Sequence, residues 1–179
     1  MKTLYLISSC LLAMIVAGCN NNPKSEANNT DSTKKDSVNK MAGHGTEACD
    51  SLWKYVYKPE RFTVHKKCAT VTGVIAYKPI PEADGDYHIR LKLDPGQENY
   101  LNEKNGPDGK QHGCLVLEII CKNKVKQADA IEPCKDCYTD ILVPKLGDHV
   151  KVTGTFVTDN EAGHGWNEIH PVYEVKIIK

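Results

Sequence analysis

The sequence predicts a mainly β domain of five strands behind a short N-terminal helix, carried on an unstructured tether. Three observations lead there. Apolar and polar residues alternate with period two in separate stretches between residue 68 and the C-terminus. Turn-forming pairs, Asp84-Gly85 and Gly147-Asp148, stand between those stretches. Residues 44–179 have the length of one ordinary domain, with no internal repeat and no second linker.

The chain opens with Lys2 and a mostly apolar run from Leu4 to Ala17 that ends in Val16-Ala17-Gly18-Cys19. A spanning helix needs about 20 apolar residues, and this run is shorter and is interrupted by Ser8 and Ser9. A transmembrane anchor or an ordinary cleaved signal therefore fits less well than a lipoprotein export signal. The segment resembles the bacterial lipobox. That resemblance implies that residues 1–18 are a signal peptide and that Cys19 becomes the mature N-terminus and carries acyl chains of the palmitate class. It also implies a cell-envelope location, lipid-anchored to a bacterial membrane and facing outside the cytoplasm. Cys10 would leave with the signal.

Residues 19–43 follow as a flexible tether: Asn, Ser, Thr, Lys and Asp dominate, with too few apolar side chains to offset the entropy of ordering. A random coil of this length spans roughly 25 Å, so the domain at 44–179 would stay near the membrane and turn freely.

In that domain Thr46 is a suitable N-cap, and Cys49, Leu52, Trp53 and Val56 recur at helical spacing, so a short helix is expected before Pro59. A first strand is expected near 68–78, where Ala69, Val71, Gly73, Ile75 and Tyr77 alternate with Thr70, Thr72 and Val74, with a bend at Gly73. Pro79 and Pro81 end it. In a second, Tyr87, Ile89, Leu91 and Leu93 face one way and Asp86, His88, Arg90, Lys92 and Asp94 the other. Leu115, Leu117, Ile119 and Cys121 define a third, with Glu118 on its opposite face. Val150, Val152 and Phe156 define a fourth, and Ile169, Tyr173, Val175 and Ile177 a fifth.

Five strands with a long connection between the third and fourth match the OB-fold pattern, a small barrel that resolves exposed sheet edges by near closure. A β-sandwich would need about seven strands. The expected class is thus mainly β, a five-stranded OB-fold-like barrel with a short N-terminal helix and a disordered tether. Val71-Thr72-Gly73, Asp84-Gly85-Asp86-Tyr87-His88, Glu118 with Cys121, and His164-Gly165-Trp166-Asn167-Glu168-Ile169-His170-Pro171 resemble motifs of a group of small secreted or lipid-anchored OB-like proteins. The likeness spans roughly residues 53–178 and implies the fold. It transfers no activity.

Six cysteines remain after Cys10 and Cys19: Cys49, Cys68, Cys114, Cys121, Cys134 and Cys137. An oxidising envelope favours disulfides. The expected pairs are Cys49 with Cys68, pinning the helix to the first strand, and Cys121 with Cys134 or Cys137, clamping the long connection. Cys134-Lys135-Asp136-Cys137 is also the spacing of a redox dithiol or half a zinc site, and Cys114 with Cys121 would complete four thiolates.

Charge sets bounds on partners. The chain carries 23 basic and 23 acidic residues, and removing residues 1–18 subtracts only Lys2. Proteins that bind nucleic acid by phosphate neutralisation show a basic excess; none is present.

The strongest chemical signal is on the fifth strand. His164, Trp166, Glu168 and His170 share a parity, so a regular strand puts them on one face, opposite Ile169, Tyr173 and Val175, where solvent would reach them. The resemblance to OB barrels implies a fifth strand beside the third and a third beside the second, and in that order Glu118 would lie between Glu168 or His170 and Asp86, His88 or Arg90. His164 and Glu168 are about 13 Å apart along a strand, too far to share an ion unless Gly165 bends the chain, whereas Glu168 and His170, about 6.6 Å apart, could hold a divalent metal together. Three readings follow. In a binding module, Trp166 with Tyr87 or Tyr77 would stack on a glycan or peptide while Asp86, His88, Glu118 and Glu168 hydrogen-bond it. In a metal-dependent hydrolase, Glu168 and His170 would be ligands and Glu118 or His88 the general base; no P-loop, nucleophile elbow or HExxH helix is present. In an accessory subunit, the partner would be another envelope protein.

Overall fold

The computed structural model describes residues 48–179. The expected signal peptide, the lipidated Cys19 and the 19–43 tether lie outside the described residues. Among those described, no helix is long and apolar enough to cross a membrane.

The domain is mainly β. Its strands are β1 (Phe62–Ile75), β2 (Ile80–Pro81), β3 (Tyr87–Leu93), β4 (Leu115–Ile119), β5 (His149–Asp159) and β6 (Asn167–Ile177). They form one mixed sheet in the order β1-β5-β6-β4-β3-β2, and β1 also pairs with β3 through Gly73 opposite Leu93 and Ile75 opposite Leu91. The pairs are antiparallel except β4 with β6, which run parallel. The four-residue helix α1 (Ile131–Cys134) lies in the β4–β5 connection.

The alternation read from the sequence places the core. Ile75, Ile89, Leu91, Leu115, Leu117, Ile119, Val150, Val152 and Ile169 are fully buried in one cluster, each contributing about 1.5–3 kcal/mol of transfer free energy. Close backbone approach governs two glycines here. A Cβ at Gly73 would stand 2.2 Å from the Lys92 carbonyl oxygen, and one at Gly154 would stand 2.3 Å from Ile169 Cγ2 and 2.5 Å from the Pro171 carbonyl oxygen.

Three expectations are corrected. The helix expected over 46–56 is replaced, from Ala48 onward, by 3-10 turns at Ala48–Asp50 and Trp53–Tyr55. Val56 still packs with Phe62, Ile120, Cys121 and Val157, and Leu52 and Trp53 lie against that cluster, so tertiary contacts replace a helix too short to hold itself. The first strand starts at Phe62 rather than near 68, because register shifts between Val64 and Lys66 and between Lys66 and Ala69 break the alternation that would have marked it. A two-residue strand, β2, was not expected; Pro81 sits on it at the sheet margin. The expected bridges are present: among the described cysteines, Cys49 is joined to Cys68 and Cys121 to Cys134, leaving Cys114 and Cys137 as free thiols. With Cys121 and Cys134 joined, neither a Cys134–Cys137 dithiol nor the four-thiolate site is formed.

Candidate functional site

Pairing across the sheet assembles the site. His88 on β3 stands opposite Glu118 on β4 in the antiparallel ladder, and Val116, on the same face two residues before Glu118, stands opposite Glu168 on β6. Alternation puts His170 on the face of Glu168, while Leu115, Leu117, Ile119 and Ile169 point the other way into the core. The juxtaposition expected from the strand order is therefore present: Glu118 lies between His88 and Glu168.

The exposure expected for that face is not. Asp86, His88, Glu118, Trp166, Glu168 and His170 are all buried, and only His164 of the seven expected site residues is partly open. Residues from outside the central strands wall the surface in. Glu82, Asp84, Lys110, Gln111 and Asp159 join them around a recess of about 220 Å³. The outer face is thus the floor of a cavity.

Hydrogen bonds fix the floor. Trp166 Nε1 donates to Glu168 Oε2 at 3.0 Å, and His170 Nδ1 lies 3.1 Å from Glu168 Oε1, so both oxygens of Glu168 are engaged. The Trp166 ring is stacked on His164 with centroids 4.1 Å apart, which leaves it poorly placed as a platform for a sugar. Gly165, at φ +94°, turns the chain between them, and His164 Nδ1 lies 2.7 Å from Asp159 Oδ2 rather than beside Glu168.

On the opposite wall, Gln111 Oε1 accepts from Arg90 Nε at 2.9 Å and lies 3.1 Å from His88 Nε2. A carbonyl oxygen only accepts, so His88 Nε2 carries a hydrogen and donates. His88 Nδ1 then faces Glu118 Oε1 at 2.7 Å and Glu82 Oε1 at 4.0 Å. Three buried atoms of residues lining the recess have no hydrogen-bond partner among the described residues: Glu118 Oε2, His170 Nε2 and Arg61 Nε, the last lying 3.5 Å from Asp159 Oδ1.

Electrostatics follow from this crowding. Burial pushes the Glu118 carboxyl well above its usual range, and the charges of Glu168, Glu82 and Asp86 push it the same way. Burial likewise raises Asp86 to about 7, opposed by the nearby His170 and by the Cys121 backbone N–H, which donates to Asp86 Oδ1 at 2.9 Å. Glu82 is raised by burial, then by Asp84 and Glu168. Burial lowers His88, with Arg90 adding to the effect and the Gln111 hydrogen bond opposing it. Both shifts favour the uncharged forms, a protonated Glu118 donating to a neutral His88 Nδ1.

Three donors converge closely enough for one ion: Glu82, His88 and Glu118, whose ligating atoms all lie within 4.8 Å of one another. The pair expected to bind metal, Glu168 and His170, is a hydrogen-bonded couple beside this set. Asp86, Cys121 and Cys134 also cluster, but their sulfurs are consumed in the disulfide. Among the described residues, no serine, threonine or cysteine lines the recess. Sequence reasoning missed Glu82 and Gln111, which sit on connecting segments without periodicity; the only clue to Glu82 was its place between two prolines and the Asp84-Gly85 turn.

No protein-family description matches the chain, and nothing similar was found among curated proteins or solved structures.

Proposed function

We propose that this chain is a lipid-anchored protein of the bacterial cell envelope whose β domain is an OB-type barrel that binds a small polar ligand in the recess floored by Glu118, Glu168 and His170. The strand order supports the barrel reading. Following β1, β3, β4, β6 and β5 back to β1 visits five strands in a ring, the cyclic order of an OB barrel, with the parallel pair between its third and fifth strands. The lipid anchor rests on the Val16-Ala17-Gly18-Cys19 pattern.

The observation that carries the binding reading is the pair of unpartnered buried atoms on the recess floor, Glu118 Oε2 and His170 Nε2. An unsatisfied buried polar group costs about 1–3 kcal/mol, a cost that a ligand supplying the missing partner removes. The volume sets the size. About 220 Å³ is below the roughly 300–1,000 Å³ of drug-sized pockets, so an ion with its waters or a single small polar molecule fits better than a stretch of glycan or peptide. A role as accessory subunit to another envelope protein is compatible with this site and gains no separate support.

The test is a solution NMR titration of the full chain, following the imidazole resonances of His88 and His170 against divalent cations, small carboxylic and amino acids, and monosaccharides. Saturable shifts at both rings with at least one probe are expected. Shifts confined to surface histidines such as His65 and His149 throughout would overturn the reading. For the anchor, Cys19→Ser is expected to release the protein from membranes and abolish incorporation of a labelled fatty acid; retention on the membrane would refute it.

A further inference from the structure

We propose that the ligand is a divalent first-row transition cation of the zinc type, held by His88 Nδ1 and the carboxylates of Glu82 and Glu118. This rests on the binding reading above and names the chemistry of the same recess. Hydrogen-bond direction orients the ring for it. Arg90 Nε fixes the Gln111 amide so that its oxygen faces His88 Nε2, which commits the hydrogen to that nitrogen and leaves the Nδ1 lone pair directed at the two carboxylates. A metal-bound imidazole characteristically donates its other ring N–H to such an acceptor, and here the acceptor is already in place.

The separations suit an ion. Donors about 2.1 Å from a tetrahedral centre lie about 3.4 Å from one another. His88 Nδ1 stands 2.7 Å from Glu118 Oε1 and 4.0 Å from Glu82 Oε1, values that bracket that distance, and Glu82 is exposed enough to swing inward. Binding the ion releases the Glu118 proton to solvent; the two carboxylates, then ionised, and a neutral imidazole supply two negative charges, matching a divalent ion. One nitrogen with two oxygens favours zinc, iron or manganese over calcium, which takes oxygen ligands.

A second observation comes from outside the three donors. His170 Nε2 is buried, unpartnered and on the lining of the same recess, and so can meet a water or substrate group on the ion's remaining coordination position. That leaves an open site rather than a closed structural one.

The experiment is competition of the metal-stripped full chain with a chromophoric chelator for Zn²⁺, with Ca²⁺ and Mg²⁺ as comparisons. One Zn²⁺ per chain is expected, insensitive to millimolar Ca²⁺ or Mg²⁺. Affinity should fall more than about 100-fold in His88→Ala and Glu118→Gln. Glu82→Gln, at an exposed side chain, is the variant whose folding is safest, and about a 10-fold or greater loss is expected for it. No stoichiometric Zn²⁺, Mn²⁺ or Fe²⁺ binding, or binding that all three variants leave unchanged, overturns the proposal. If metal fails while another probe shifts His88 and His170, the binding reading stands without the cation; if nothing shifts them, both fall.

Discussion

Glu118→Gln in the metal-free protein separates two states of the buried pair by their energetics. If Glu118 is a neutral acid donating to His88 Nδ1, the substitution replaces an O–H donor by an N–H donor of nearly the same shape at a 2.7 Å contact. The exchange of one neutral hydrogen bond for another changes stability by less than about 1 kcal/mol. If the pair were instead a carboxylate beside an imidazolium, the change would strand a buried charge and cost about 3–5 kcal/mol. For a domain of this size 1 kcal/mol moves the melting temperature by roughly 4 °C, so the alternatives differ by about 10 °C or more. Thermal and urea unfolding of the chelator-treated variant at pH 7 decides between them. A loss above 3 kcal/mol would refute the neutral-acid assignment, and with it the picture of His88 as a preformed neutral ligand.

Three further outcomes follow from the packing and the buried charges. Gly154→Ala drives a Cβ against Ile169 and the Pro171 carbonyl, and a loss of at least about 3 kcal/mol is expected in urea unfolding; near-wild-type stability would contradict the close β5–β6 approach. Replacing both Cys49 and Cys68 by Ser opens a bridge of sequence separation 19, which the chain-entropy relation puts at about 3 kcal/mol, read as a lower midpoint with unchanged spectra. In the metal-free protein stability should fall between pH 5 and pH 8. Folded Asp86, raised from the ordinary 3.8 to about 7, keeps a proton that the unfolded chain gives up; its contribution is full at low pH and lost as pH rises through about 7. Glu118 and Glu82, also raised, add the same sign, while His88, lowered, opposes it below its ordinary value. Asp86→Asn should flatten the decline, and a domain more stable at pH 8 than at pH 5 would sink this reasoning.

What could be read from the residues was whatever depends on period and pairing. Alternation from Tyr87 to Leu93 and from Leu115 to Cys121 gives β3 and β4 within one or two residues, because one face of each packs into a dry core and no other period satisfies that. Parity alone put Glu168 and His170 together, and the expected strand order put Glu118 between Glu168 and His88. The cysteine pairs followed from where the elements start and stop.

Exposure was misjudged for a physical reason. Polar residues at alternating positions ordinarily mean a wet face, but here Gln111 and Glu82 from connecting segments and Asp159 at the end of β5 enclose it, and long-range closure leaves no local pattern. The capping box of Asn102 and Asn105 anchors part of that enclosure: Asn105 Nδ2 donates to the Cys114 and Asn167 carbonyls, tying the β3–β4 connection to the start of β6. The early part of β1 was hidden by its two register shifts, and the N-terminal turns imitated a helix because Val56, Leu52 and Trp53 meet one apolar cluster from successive 3-10 turns.

The most direct test is a crystal structure of the full chain grown with Zn²⁺, with the ion located by anomalous scattering. The account predicts one ion in the recess, about 2.0–2.2 Å from His88 Nδ1 and from a carboxylate oxygen each of Glu82 and Glu118, with His88 Nε2 still donating to Gln111. A recess holding only water while zinc sits on surface histidines would contradict it.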